Sequence, residues 1–232
     1  MSIITGIPRR GLTLESGRLA ALRAELRDDP ETASDPALQE MARVLGKPAH
    51  ELMVSISGSD GETRLAFAIE GPTAVVTMAR PGATAELAVV TADSIPGIIA
   101  LAAELGPAPF IDEPDILVDL RELEGYLAGP RPPRSERSGE TGSRAASVFA
   151  EPGVRNWSAY LAGAGDGEGE RLLLDVVGGA GMGWWVLDVG ESGARLIRTR
   201  SALIWETLCR LASGGGIDAV DAEPATESEP PT

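Results

Sequence analysis

The chain has 232 residues, enough for one large domain or two small ones, and at 43% hydrophobic it can fill a core. A formal net charge of −15 argues against nucleic acid or an anionic membrane surface as partner, because both would repel it. Cys209 is the single cysteine and His50 the single histidine, which excludes an internal disulfide and a zinc site built from His and Cys.

Residues 13–27 predict a helix, with Leu19, Leu22 and Leu26 on one side, closed by Asp28-Asp29-Pro30. A second helix opens at Asp35-Pro36, where proline at the first helical position needs no N–H donor, and stops at Gly46 and Pro48. Its apolar side is Leu38, Met41, Val44 and Leu45, a packing face. Four short strands follow, at about residues 52–57, 65–69, 75–80 and 86–91. Large apolar residues alternate along the first two, and connections as short as Gly71-Pro72 and Pro81-Gly82 require antiparallel neighbours. A helix over 93–105 presents Ile95, Ile98, Ile99, Ala102 and Leu105, with Pro96 confined to its first turn.

Gly106-Pro107-Ala108-Pro109 breaks the chain, and residues 112–128 predict a helix with Ile116, Leu120, Leu123 and Leu127 on one side. Residues 129–147 hold no apolar side chain larger than alanine and read as a flexible connector. Beyond it a second meander starts near Val148 or Trp157, with an acidic, glycine-rich loop at 163–170. Strands follow at 172–177, 184–189 and 194–199, then a helix at 201–212. The tail, 213–232, carries five acids and three prolines and reads as disordered.

The two halves echo each other. A shift of 109 positions sets Leu87 on Leu196, Ile95 on Ile204, Ile99 on Leu208 and Ala102 on Leu211. The expected fold is therefore α+β: one domain over residues 1–212, made of a duplicated half-domain. The halves are 1–128 and 148–212, each a four-stranded antiparallel meander plus a helix, and together they form a quasi-two-fold central sheet flanked by helices.

Chemistry-bearing patterns are sparse. A Ser-His-Asp arrangement would need His50 as its base, but no Gly-x-Ser-x-Gly elbow occurs, and His50, beside Pro48 at a strand entry, reads as a surface turn histidine. The run Gly178 to Gly183 precedes a strand, where a phosphate loop needs a helix N-terminus, so it reads as a hairpin loop. Cys209 lies on an apolar helical stripe and is expected to be a small buried hydrophobe. Asp175 and Asp188 interrupt apolar strands; as outward residues they are ordinary, and as a carboxylate pair in a cleft they would suit a hydrolase or transferase. Trp184 and Trp185 put one indole on each sheet face, one expected beneath helices and the other exposed to a partner. No cofactor or metal is expected. No run approaches the roughly 18 apolar residues of a membrane span, and MSIITGIPRRG lacks the apolar core of a signal peptide, so the expected location is cytoplasmic.

The stretches ALQEMARVLGKPAHELMVSI, RLAFAIEGPTAVVTMARPG and ELAVVTADSIPGIIALAAELGPAP, with ASVFAEPGVRNWSAYLAG and RLIRTRSALIWETLCRLAS, resemble the EspG family. These are cytosolic chaperones of type VII (ESX) secretion in actinobacteria. The likeness spans about residues 36–212 and lies in spacing and residue type, without a catalytic motif. It implies a quasi-two-fold sheet flanked by helical bundles and a non-enzymatic role: covering the apolar tip of a PPE protein in its PE–PPE heterodimer until export. The short N-terminal region and the polar connector depart from the family, which points to a divergent PPE-like substrate. Candidate contact positions, from exposure and element position, are the exposed one of Trp184 and Trp185, the turn Gly71-Pro72-Thr73, and the last helix around Trp205. The alternatives are the carboxylate enzyme and an adaptor that homodimerises through the sheet face.

Overall fold

A computed structural model describes residues 11–14, 36–59, 61–80, 85–128, 144–163, 172–179, 181–190 and 193–214. In chain order these form β1 (Gly11–Leu14), α1 (Pro36–Gly46), β2 (His50–Gly58), β3 (Gly61–Glu70), β4 (Thr73–Ala79) and β5 (Ala85–Thr91). A 3₁₀ turn at Ala92–Ser94 leads into α2 (Ile95–Ala102). The chain continues through β6 (Ile116–Val118), α3 (Leu120–Ala128), α4 (Arg144–Ala150), β7 (Arg155–Gly163), β8 (Leu172–Gly179), β9 (Gly183–Gly190), β10 (Gly193–Thr199) and α5 (Ser201–Ala212).

The strands form one ten-stranded antiparallel sheet in the order β1-β5-β4-β3-β2-β7-β8-β9-β10-β6. The meanders β2–β5 and β7–β10 meet at a central seam, where β2 pairs with β7 from His50↔Gly163 to Ser57↔Asn156. Outward from the seam the order is the same on both sides: a four-stranded meander, then one short strand from elsewhere in the chain. Each meander runs directly into a helix, and those two helices, α2 and α5, pack against each other.

Period-two alternation divides the side chains between the sheet faces. On one face Leu52, Val54 and Ile56 of β2, Phe67 of β3, Trp157 of β7, Val176 of β8 and Trp184 of β9 join Ile95 and Ile99 of α2 and Ile204, Leu208 and Leu211 of α5 in one core. That core crosses the seam without a break. The opposite face has two separate cores. Met41, Val44 and Leu45 of α1 pack on Ala68, Val75 and Leu87 in the first half. Leu123 of α3 and Val148 and Phe149 of α4 pack on Val177, Trp185, Leu187 and Leu196 in the second.

Several sequence expectations change. Thr13 and Leu14 belong to strand β1, paired with Glu86 and Ala85, instead of opening a helix. Residues 116–118 form strand β6 on the free edge of β10, and the helix expected from 112 begins at Leu120. Ile116 and Val118 face one way and Leu117 the other, so a stretch that scans as helical also satisfies a strand. Helix α4 begins at Arg144, inside the expected connector, because Ala145, Val148 and Phe149 have a core to fill. Cys209 is exposed, not buried: it follows Leu208, and one residue turns a helix about 100° away from the buried stripe. The rest of the expected first helix, connector residues 129–143, the acidic loop residues 164–170, the Pro81-Gly82 turn and tail residues 215–232 lie outside the described residues.

Candidate protein-docking face

Among the described residues the seam is open on the face that carries α1, α3 and α4. There the outward side chains of β2 and β7 include a patch of small polar residues, Ser55, Ser57, Asn156 and Ser158, next to the half-buried pair Met53 and Tyr160. Register aligns them in rows across the strands. One row runs Arg64↔Ser55↔Ser158↔Asp175↔Leu187, from β3 through the seam to β9. The next runs Glu62↔Ser57↔Asn156↔Val177↔Trp185. A groove of about 230 Å³ lies over the β9 end of these rows, with Leu123 and Leu127 of α3 and Leu187 and Val189 of β9 as apolar walls. Leu127 (44% exposed) and Val189 (52% exposed) form a rim open to solvent.

The charges of this floor are unevenly matched. Glu62 is held by Arg64 through two hydrogen bonds, Nε to Oε1 at 2.7 Å and Nη2 to Oε2 at 3.1 Å, and accepts a third from Ser55 Oγ at 3.0 Å. The Arg64 guanidinium keeps the Glu62 carboxyl below its ordinary value. Asp175, in contrast, is half-buried against apolar walls, directly across the strand pair from Ser158. Burial pushes its carboxyl pKa up, and the Ser158 hydroxyl offsets this only in part. Among the described residues Asp175 makes no ion pair.

The carboxylate pair expected at Asp175 and Asp188 does not form. Asp175 lies opposite Leu187, so Asp188 projects from the other sheet face. There it accepts hydrogen bonds from Arg195 at 2.6 and 3.2 Å. His50 opens β2 and donates from Nε2 to the Ala212 carbonyl at 3.3 Å, tying the end of α5 to the sheet. Among the described residues no group of three or more His, Cys, Asp and Glu side chains is placed to hold a metal.

The tryptophan expectation is corrected as well. Trp184 is 1% exposed and Trp185 5% exposed, so neither reaches a partner surface. Trp184 packs beneath α2 and α5 and donates from Nε1 to the Gly106 carbonyl at 3.2 Å. Trp185 is covered by the second-half core, which a scan of residues 129–147 as connector leaves out. The Arg198 guanidinium lies 4.1 Å above its ring and reaches the Pro109 carbonyl at 2.8 Å. Gly183 makes room for it: its φ is +97°, and a Cβ there would sit 2.0 Å from Arg198 Nη2.

The other expected contact residues are exposed but scattered. Gly71 and Pro72 are exposed and Thr73 partly so, in the β3–β4 turn, with the Pro72 carbonyl accepting from Ala92 N at 2.9 Å. Trp205, 42% exposed, is on α5 above the other face of the sheet. The seam residues Ser55, Ser57, Asn156 and Ser158 escaped the sequence reading. Their signal was present: small polar residues at alternate positions, interleaved with Val54, Ile56 and Trp157.

The architecture is that of an α+β protein with a large antiparallel sheet and five helices among the described residues. The same fold occurs in the Mycobacterium tuberculosis type VII secretion system chaperone EspG5, whose structure was solved in complex with a PE25-PPE41 dimer. The two match with a TM-score of 0.54 and 15% sequence identity over 87% of this chain and 95% of that one. No protein-family model matches the sequence, and no curated protein does.

Proposed function

We propose that this protein is a cytoplasmic chaperone of a type VII secretion system, binding a PE/PPE-like substrate and keeping it soluble before export. The observation that carries this reading is the open seam. Among the described residues no helix lies over the centre of the ten-stranded sheet on one face, between α1 and the α3–α4 pair, and Leu127 and Val189 are exposed at the groove rim. A surface of this kind suits a protein partner that brings its own apolar side chains. The fold shared with a chaperone solved on a PE-PPE dimer supports the choice of partner class. Binding of this kind uses shape and hydrophobic anchors and needs no chemistry. None of the described helices is long and apolar enough to cross a membrane.

The test is a tagged pull-down from native cytosol with mass spectrometry. A PE–PPE-type pair recovered in near-equal amounts supports the proposal. Recovery of the protein alone, or of a pair whose capture is unaffected by Leu127→Arg in a folded variant, overturns it.

A further inference from the structure

The groove is small, polar at its floor and apolar at its walls, and it holds a carboxylate without a counter-charge among the described residues. At about 230 Å³ it falls below the ~300–1,000 Å³ of ordinary small-molecule sites, and suits one inserted side chain. Strands β2, β7, β8 and β9 are each paired on both sides, so an incoming segment cannot add to the sheet here. It must contribute side chains. The floor offers acceptors: the Asp175 carboxylate and the hydroxyls of Ser55 and Ser158, in one cross-strand row. The cation of that row, Arg64, is already held by Glu62. The chain as a whole carries −15.

We infer that this groove recognises an arginine: a partner segment inserts one guanidinium over Asp175 and packs flanking apolar side chains on Leu127 and Val189. This builds on the reading of the face as a protein-docking surface and names the chemistry the partner must bring. Arginine fits better than lysine because its planar fork supplies five donors, enough for the carboxylate and neighbouring hydroxyls together, and sheds water more readily than an ammonium group. A carboxylate with partial burial and no ion pair is poised for such a partner, since the approaching cation restores the stabilisation that desolvation removed.

The experiment uses the full chain and two capped tripeptides, Ac-Leu-Arg-Leu-NH2 and its neutral isostere with citrulline in place of arginine. Binding is followed by NMR through the Asp175 carboxyl carbon resonance, assigned as the signal lost in Asp175→Asn. A saturable shift with the arginine peptide is expected, with binding about ten-fold or more tighter than the citrulline peptide, and with the advantage lost in Asp175→Asn. No shift, or equal binding of both peptides, overturns the inference. The outcome is separate from the fate of the chaperone reading. If the arginine peptide binds while no PE–PPE-type pair co-purifies, the proposed substrate falls and the arginine site stands. If a pair co-purifies and binds Asp175→Asn as tightly as the native chain, the substrate stands and the arginine site falls.

Discussion

The two faces of the sheet are built from the same strands and end in opposite states at the seam. On the α2/α5 face the seam is closed: Leu52, Val54 and Ile56 of β2 and Trp157 and Ala159 of β7 are buried where the two helices pack together. On the other face the seam carries Ser55, Ser57, Asn156 and Ser158, with separate cores to either side. Only the parity of a residue within its strand decides which state it joins. One face holds the halves together, and that frees the other from having to do so.

The largest expected effect of breaking this contrast is at Trp184. Replacing it with alanine removes a nearly fully buried indole and its bond to the Gly106 carbonyl, and should cost about 3–5 kcal/mol. Ser57→Ala, at the exposed seam, should stay within about 0.5 kcal/mol. Urea unfolding of both variants checks the pair; similar losses would show that the faces do not differ as described. Gly183→Ala should fall between them, at about 1–3 kcal/mol, because a side chain is strained at φ +97° and evicts Arg198 from the Trp185 ring. A crystal structure of that variant with Arg198 still over the ring would contradict the account.

The architecture was largely legible in the chain. Alternation at Leu65, Phe67 and Ile69 and the helical spacing of Ile204, Leu208 and Leu211 are local patterns, and local patterns locate elements. What failed was tertiary. Strand β6 exists because β10 offers it an edge, and three residues are too short to announce themselves. One of Trp184 and Trp185 reads as exposed until α3 and α4 fold over Trp185. The groove was legible only in fragments: Asp175 stood out by its charge, but nothing local says that Ser55 and Ser158, 103 positions apart, share a row with it.

A middling effect is expected where rim meets partner. Leu127→Arg or Val189→Arg should weaken capture of the partner about ten-fold or more while leaving stability within about 0.5 kcal/mol, since both side chains are already exposed. Calorimetric titration with the purified partner, beside thermal unfolding of the free protein, separates the two quantities. A variant that loses stability and binding together would mean that the rim belongs to the second-half core instead of a docking surface.

At Asp175 a small effect is expected, and its sign is the informative part. Burial raises the carboxyl pKa above its ordinary 3.8 in the folded chain, so the folded state binds this proton more tightly than the unfolded state does. At neutral pH the ionised group therefore opposes folding; the opposition is relieved as pH falls through the raised folded value, and the relief is complete below the unfolded value. Asp175→Asn removes the charge and keeps the shape, so it should raise the stability of the free protein at pH 7 by under about 1 kcal/mol. That gain should shrink as the pH falls through the same window. Denaturation at neutral and acid pH reads the difference directly. A variant less stable than the native chain at pH 7 would mean that the carboxylate already has its counter-charge. A variant more stable alone but weaker with its partner would mark Asp175 as a residue kept for binding at the expense of the fold.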